Sequence, residues 1–490
     1  MNESRFPCGQ IARPAISRRD FLQRSALGFG ALALSSVSRQ QATAGQRSPN
    51  PLSVKPSHFK PRAKRVILLF MEGAPSQMDT IDYKPELIRR HDQALPQSAL
   101  PKAMLEGKGE KLSEFGQIFK PVVDFKQRGA SGLWVSDALP SIANHADELC
   151  VLNGMVCDST EHGTATQQFH TGLPVLPRPS MGAWLMYGLG TENENLPGFV
   201  VISPPAGSNI NCGTDFLPSV YQSTILRDVA KAESQKIRYL QDKRLPRELR
   251  QKQLRFLQQL NQRHALISEN DSILESQIAA NELAFRMQTE APDVLDIERE
   301  SAATRKLYGL DQSETDAFGR QCLLARKLAE SGVRFIQVTS KEWDHHDQIA
   351  TKLPASCHRV DKPIAGLLSD LKGRGLLEDT LVIWSGEFGR TPNWQSFGAA
   401  KKAGKPPGRG HNPFGFSLWM AGGGVRPGFK FGATDEFGYS AVDGRVHIHD
   451  LHATILHLMG LDHENLTYTH AGRPYRLTDV YGEVVHEILA

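Results

Sequence analysis

Four short stretches place acids and imidazoles where the chain passes from apolar to polar. "VILLFMEG" ends in Glu72, and "FIQVTSKEWDHHD" carries Asp344, His345, His346 and Asp347. "LVIWSGEFGR" runs into Glu387 and Arg390, and "GRGHNPFG" holds His411 in a glycine-rich loop before the next apolar run. Carboxylates mixed with imidazoles are a donor set for Zn²⁺ or Mn²⁺, and the acids alone would take Ca²⁺ or Mg²⁺. Two such ions could clamp the attacking and leaving oxygens of a phosphoryl or sulfuryl transfer. A fifth stretch, "CDSTEHGTATQQFHTG", crowds His162, Thr164, Thr166, His170 and Thr171 into the start of a helix, where polar groups suit an oxyanion. Plainer explanations stand beside these. Glu387 could pair with Arg390 or cap the next element, "DHHD" could be a solvated loop, and the fifth stretch could be an ordinary Thr-capped helix.

The elements that must position these residues are alternating strands and helices. Residues 66–71 form a short continuous apolar run of the kind buried on both faces of a parallel sheet. "ELCVLNGM", "PGFVVIS", "VRFIQVTS", "TLVIWSG" and "GFSLWM" repeat the pattern. "VDKPIAGLLSDLKGRGL" between two of them reads as a crossover helix, and "HIHDLHATILHLMGL" as a helix with Leu451, Ile455, Leu458 and Met459 on one face. His447, His449, His452 and His457 then fall at that helix's start and on its exposed face. The predicted fold is α/β, a doubly wound, mostly parallel sheet flanked by helices, with polar loops converging along one edge. From about 225 to 330 the chain is charged, Gln-rich and helical, and reads as a covering insertion. No Walker or GxGxxG motif is present.

The 490 residues include 57 Lys+Arg and 53 Asp+Glu, a formal charge of +4. Residues 1–44 hold six Arg against Glu3 and Asp20, so the remainder is neutral (4 − 4 = 0). That leaves no basic footprint for nucleic acid. "SRRDFLQRSALGFGALALSS" sets Arg18 and Arg19 before a weakly apolar run too short to span a bilayer, and "ATAG" offers small residues for cleavage. The leader resembles a twin-arginine export signal, which implies a periplasmic or secreted protein folded before export. Residues 45–64 read as a linker and 65–490 as the folded domain. Of six cysteines Cys8 lies in the leader, and the five others form no CxxC pair, so buried free thiols are expected.

In this order the segments resemble the alkaline phosphatase superfamily. "RVILLFMEGAPS" is similar to its opening strand, with Glu72 at the position of a metal-binding acid. "DTLVIWSGEFGR" is similar to the strand ending in an acid–His or acid–Asn pair, with Glu387 and Phe388 in those places. His411 falls at a metal histidine, and "EHGTATQQFHTG" resembles the nucleophile helix. The leader, "FMEGAPSQMD", "WDHHD", "GEFGRTP" and "GRGHNP" together resemble domain-of-unknown-function family 1501, whose members are exported bacterial proteins often labelled sulfatases. The departures are specific. His162 stands where a sulfatase carries its Cys or Ser, the accompanying arginine is missing, and Phe388 replaces a ligand.

The resemblance implies an exported, metal-dependent hydrolase of sulfate or phosphate esters, acting on a small-molecule or glycan ester. Asp344, His346 and His411 would hold one divalent ion, with His345 as the alternative imidazole. Glu387, with Glu72, would hold a second or shared ion. His162 would serve as nucleophile, acid/base or extra ligand, beside Thr164 as a further hydroxyl, and Arg390 would steady the anionic ester. The alternatives are a non-catalytic exported binding protein that keeps the fold, and a phosphomutase-like transferase phosphorylated on His162 or Thr164.

Overall fold

The computed structural model describes residues 50–101, 116–227, 272–395 and 404–490, with isolated positions between 229 and 259. The leader at 1–44 lies outside the described residues. The apolar runs form the strands expected of them. Arg65–Met71 is buried at every position and lies near the middle of a nine-stranded sheet. It pairs in parallel with Phe335–Ser340 on one side and Thr380–Ser385 on the other. Beyond the first neighbour come Phe199–Ile202 and Thr224–Leu226, also parallel. Beyond the second come Phe416–Ala421, Leu149–Val156 and Phe429–Phe431, with Val446–His447 pairing the end of Leu149–Val156. Phe416–Ala421 alone in this sheet runs antiparallel to both neighbours. It does so because the chain leaving Thr380–Ser385 stays at that sheet edge, builds the hairpin Gly389–Gln395/Gly408–Asn412, and turns straight back.

The remaining strands point the same way, so Glu72, Asp344 and Glu387 leave the sheet along one edge. Helices flank the sheet. Ser313–Glu330 and Ile349–Gly373 pack on each other and bury Phe318, Cys322, Leu323, Leu367 and Leu368. Among the described residues no helix is long and apolar enough to cross a membrane. The five cysteines of the domain are buried free thiols.

Several boundaries differ from the expected ones for identifiable reasons. Residues 52–64 are laid on the domain, with Lys55 N–H donating to Leu189 O and Arg62 and Ala63 N–H both donating to Leu458 O. The Pro and Ser content there marks an extended strap, not a free linker. Within 225–330, Thr224–Leu226 is an edge strand and Ser313–Glu330 is a layer of the core. Helix Ile349–Gly373 begins eleven residues ahead of the predicted crossover, which starts at Val360, because Pro354 lies in its interior, where proline usually signals a break. "GRTPNWQ" is a hairpin strand and not a cap.

His449 and His452 are buried, not exposed. His447 instead caps helix Ile448–Leu458 in a reciprocal pair with Asp450. His452 Nε2–H donates to Phe169 O at 2.8 Å, and His170 Nδ1–H donates to Thr166 O at 2.8 Å. Burial lowers His452 to about 3 and His170 to about 4. The unfolded chain takes up these protons near pH 6.5 while the folded chain refuses them, so stability is full above pH 6.5 and falls as pH drops toward 4. The expected slope is about 1.4 kcal/mol per pH unit for each group. Denaturant titrations at pH 7 and 5 check this, and His452→Gln should flatten the difference.

Candidate metal centre

Four side chains from three separate segments meet at the sheet edge. His162 opens helix His162–Thr171, Asp344 and His346 follow strand Phe335–Ser340, and His411 lies on hairpin strand Gly408–Asn412 opposite Arg390. One ligand atom from each lies within 4.8 Å of all the others. Asp344 Oδ1 is 3.1 Å from His162 Nε2, 3.0 Å from His346 Nε2 and 3.5 Å from His411 Nε2. The His346 and His411 Nε2 atoms are 2.8 Å apart.

The surroundings fix which nitrogens face inward. His162 Nδ1–H donates to Glu387 Oε1 at 2.5 Å, and His411 Nδ1–H donates to the Thr160 carbonyl at 2.6 Å. Both acceptors keep a proton on Nδ1 and leave Nε2 facing the cluster, where a bound cation would take the place of any Nε2 proton. His162 Nε2 is buried without a hydrogen-bond partner. Nε2 atoms of two rings converging on an ionised carboxylate fit a cation, and the set of three imidazoles and one carboxylate is a transition-metal donor set.

The charges agree. Burial opposes ionisation of Asp344, yet His162, His346, His411 and Arg390 together hold its carboxyl far below the usual range. Burial likewise opposes charge on His162, but Asp344 and Glu387 outweigh it and raise the imidazole to about 9. At His411 burial wins and the value is lowered.

The other candidates take supporting places. Glu387 is fully buried and stands behind His162, receiving Gly73 N–H at 3.0 and 3.2 Å, so it is a positioning residue outside the ligand group. Glu72 also stands outside that group. Its Oε1 accepts from Ala206 N–H at 2.5 Å. His345 points away from the cluster, because successive residues of an extended segment face opposite sides. Its Nε2 lies 3.1 Å from Glu342 O and 3.3 Å from Ser356 Oγ. Arg390 is buried behind Asp344. It donates to Asp344 Oδ1 at 2.7 Å, to Ala74 O and to Gly73 O, so it braces the ligand and does not face a cavity. Thr164 Oγ1 is engaged by Ser159 and by Glu161 O. His162 Nδ1 is committed to Glu387, and Nε2 faces the other three members of the cluster.

Phe388 packs its ring against His162 and His411, at centroid distances of 4.9 and 4.7 Å, and so walls the cluster on that side. Beside the cluster opens a cavity of about 500 Å³ lined by His162, Thr166, Glu72, Asn211, Ile210 and Asp344, among others. Two participants gave no chemical signal in the sequence. Trp343, fully buried with Nε1–H on Ser340 Oγ at 3.2 Å, anchors the ligand loop. Gly73, at φ +104°, lets that loop approach.

Because Glu387 keys His162, Glu387→Gln should weaken metal binding about 10–100-fold with the fold unchanged. Chelator competition measures this, and an unchanged affinity would remove Glu387 from its positioning role.

An α/β sheet with an imidazole–carboxylate cluster at the C-terminal ends of its strands is the class that fold and site define. The chain belongs to the family described as protein of unknown function (DUF1501), whose model matches residues 63–489. No curated protein matches the sequence. Among solved structures it is similar to the lipoteichoic acid synthase LtaP from Listeria monocytogenes, at 10% identity and a TM-score of 0.34, covering 84% of this chain and 76% of that one. It is similar to a protein in the alkaline phosphatase superfamily from Vibrio parahaemolyticus, at 10% identity and a TM-score of 0.34 over 84% and 70%. The PsFucS1 sulfatase from Pseudoalteromonas sp. is similar at 13% identity and a TM-score of 0.32 over 82% and 68%. At these scores the likeness carries no argument about activity.

Proposed function

We propose that the protein is a metal-dependent hydrolase of sulfate or phosphate esters. The observation that carries this reading is the convergence of His162, Asp344, His346 and His411, with the His162 and His411 rings oriented from behind by Glu387 and the Thr160 carbonyl, at the mouth of a substrate-sized cavity. Three imidazoles and one carboxylate favour Zn²⁺ or Mn²⁺ over the oxygen-seeking Ca²⁺ and Mg²⁺. A single ion suits the geometry, since Glu72 and Glu387 stand outside the ligand group. A divalent ion bound there supplies Lewis acidity toward an ester oxygen and activation of water at neutral pH.

The chain's own residues do the rest. Arg390 and Glu387 hold Asp344 and His162 in place, and Phe388 keeps that side of the cluster dry. Glu72 lines the cavity with Oε1 engaged by Ala206 N–H, leaving Oε2 to take a proton from water. Attack by water agrees with a His162 whose Nδ1 is held by Glu387 and whose Nε2 would be taken up by the ion, and with a Thr164 hydroxyl already bonded to Ser159 and Glu161 O. The Arg18–Arg19 leader supports export by the twin-arginine route to the periplasm or beyond.

The test is a screen of aryl sulfates, phosphate monoesters and diesters with zinc- or manganese-loaded protein against chelated protein. Turnover that returns with metal supports the reading. Tight ligand binding with no turnover under any metal would instead favour the non-catalytic binding protein.

A further inference from the structure

The cations near the metal cluster all lie on one side of it. Among the described residues the cavity containing Glu72 and His162 is lined by no lysine or arginine, and Arg390 is consumed behind Asp344. On the other side of Asp344 a second cavity of about 480 Å³ is lined by Lys352, Ser356, Arg359 and His345, and the two cavities share Glu342 and Asp344. Lys352, Ser356 and Arg359 lie at i, i+4 and i+7 of helix Ile349–Gly373, so one helix face presents all three.

The local charge is not balanced by the protein. Lys352 pairs with Asp347, which Lys405 also approaches at 3.9 Å, and Arg359 Nη1 donates to Glu342 Oε2 at 2.9 Å. Lys352 and Arg359 line the cavity with Glu342 and Asp344, Asp344 is turned to the cluster by Arg390 and the imidazoles, and Lys405 adds a third cation outside the lining. Arg359 Nε is buried without a hydrogen-bond partner. Glu342, which separates the cavities, holds a left-handed backbone at φ +68°, a conformation that costs a non-glycine residue energy and is found where function needs it.

We infer that the Lys352–Arg359 cavity seats a second anionic group of the substrate, so that the preferred ester carries one anionic group at the metal cluster and another beside it. Lys352, Arg359 and the Ser356 hydroxyl share one face, held by Asp347, Glu342 and neighbouring carbonyls, and an arriving sulfate, phosphate or carboxylate would compete with those acids for the two cations. The inference rests on the hydrolase reading for what lies at the cluster, but the cavity itself is tested by binding alone.

The experiment is calorimetric titration of the metal-loaded full-length chain with two probe pairs. One pair is a disaccharide bearing two sulfates and the same disaccharide bearing one. The other is glucose 1,6-bisphosphate and glucose 6-phosphate, so the two arms tell a sulfate-seeking from a phosphate-seeking cavity. The doubly charged member of at least one pair is expected to bind about tenfold tighter or more, with a preference that shrinks as salt is added. Lys352→Ala with Arg359→Ala should erase that preference, and Arg359→Lys, which keeps the charge and loses the fork, should restore part of it.

Metal content measured on each variant separates a lost cavity from a collapsed loop. No preference in the unsubstituted protein, or a preference that survives both alanines, would overturn the inference. A preference with no turnover of any probe would overturn the hydrolase reading and leave the cavity standing.

Discussion

With alanine in place of His411, the protein is expected to be recovered without its metal and without hydrolytic activity. His411 supplies one of three inward-facing Nε2 atoms, and its orientation is fixed by the Thr160 carbonyl. Removing it leaves two imidazoles and one carboxylate, and it also removes one side of the wall that Phe388 completes. Loss of an outer group that merely orients a ligand costs about 10–100-fold in metal affinity, so loss of the ligand itself should exceed about 100-fold. The side chain is half-buried on a hairpin strand and packs against other cluster members, not the core, so the sheet should survive. Elemental analysis with circular dichroism reads both quantities. Metal retained at full stoichiometry would remove His411 from the ligand set.

The second large effect is expected at a residue with no chemistry of its own. Gly73 follows Glu72 at the end of the central strand with φ +104°, and a Cβ there would lie 2.6 Å from Asp344 N and 3.0 Å from the Trp343 backbone. Gly73 N–H also binds Glu387, and its carbonyl receives Arg390. One backbone thus touches the ligand loop, the residue behind His162 and the residue behind Asp344. Gly73→Ala combines a disfavoured dihedral with a clash against backbone that cannot rotate away, and should cost about 3 kcal/mol or more. The ligand loop would be displaced along with the loss of stability, so metal affinity should fall with the denaturation midpoint. A variant as stable as the parent, with metal bound, would show that the loop has slack the structure does not suggest.

These two residues illustrate what the sequence discloses. The strand positions follow from apolar runs because burial on both faces selects them, and the acids and imidazoles at their ends were visible for the same reason. His411 and Asp344 were legible as polar residues at strand ends. The choice between His345 and His346 was not, because it depends on which way an extended loop faces, and Trp343 and Gly408 decide that. A Cβ at Gly408 would collide with the His345 carbonyl, so the two backbones run in contact. Glu387 looked like a ligand because it ends a strand. Its role behind His162 arises from a pairing between segments 225 residues apart. The histidines of helix Ile448–Leu458 seemed exposed because imidazole is polar. They are buried because each finds a backbone carbonyl across the helix pair, Gly172 O for His449 and Phe169 O for His452.

The account stands or falls on the cluster. The most direct measurement is an X-ray crystal structure of protein purified from its own cells, with anomalous data collected above and below the zinc and manganese edges. One peak per chain is predicted, lying among His162 Nε2, His346 Nε2, His411 Nε2 and Asp344 Oδ1, with His345 and Glu387 outside its reach. A peak coordinated by Glu387 and Glu72, or no peak in fully metal-supplied protein, would contradict it.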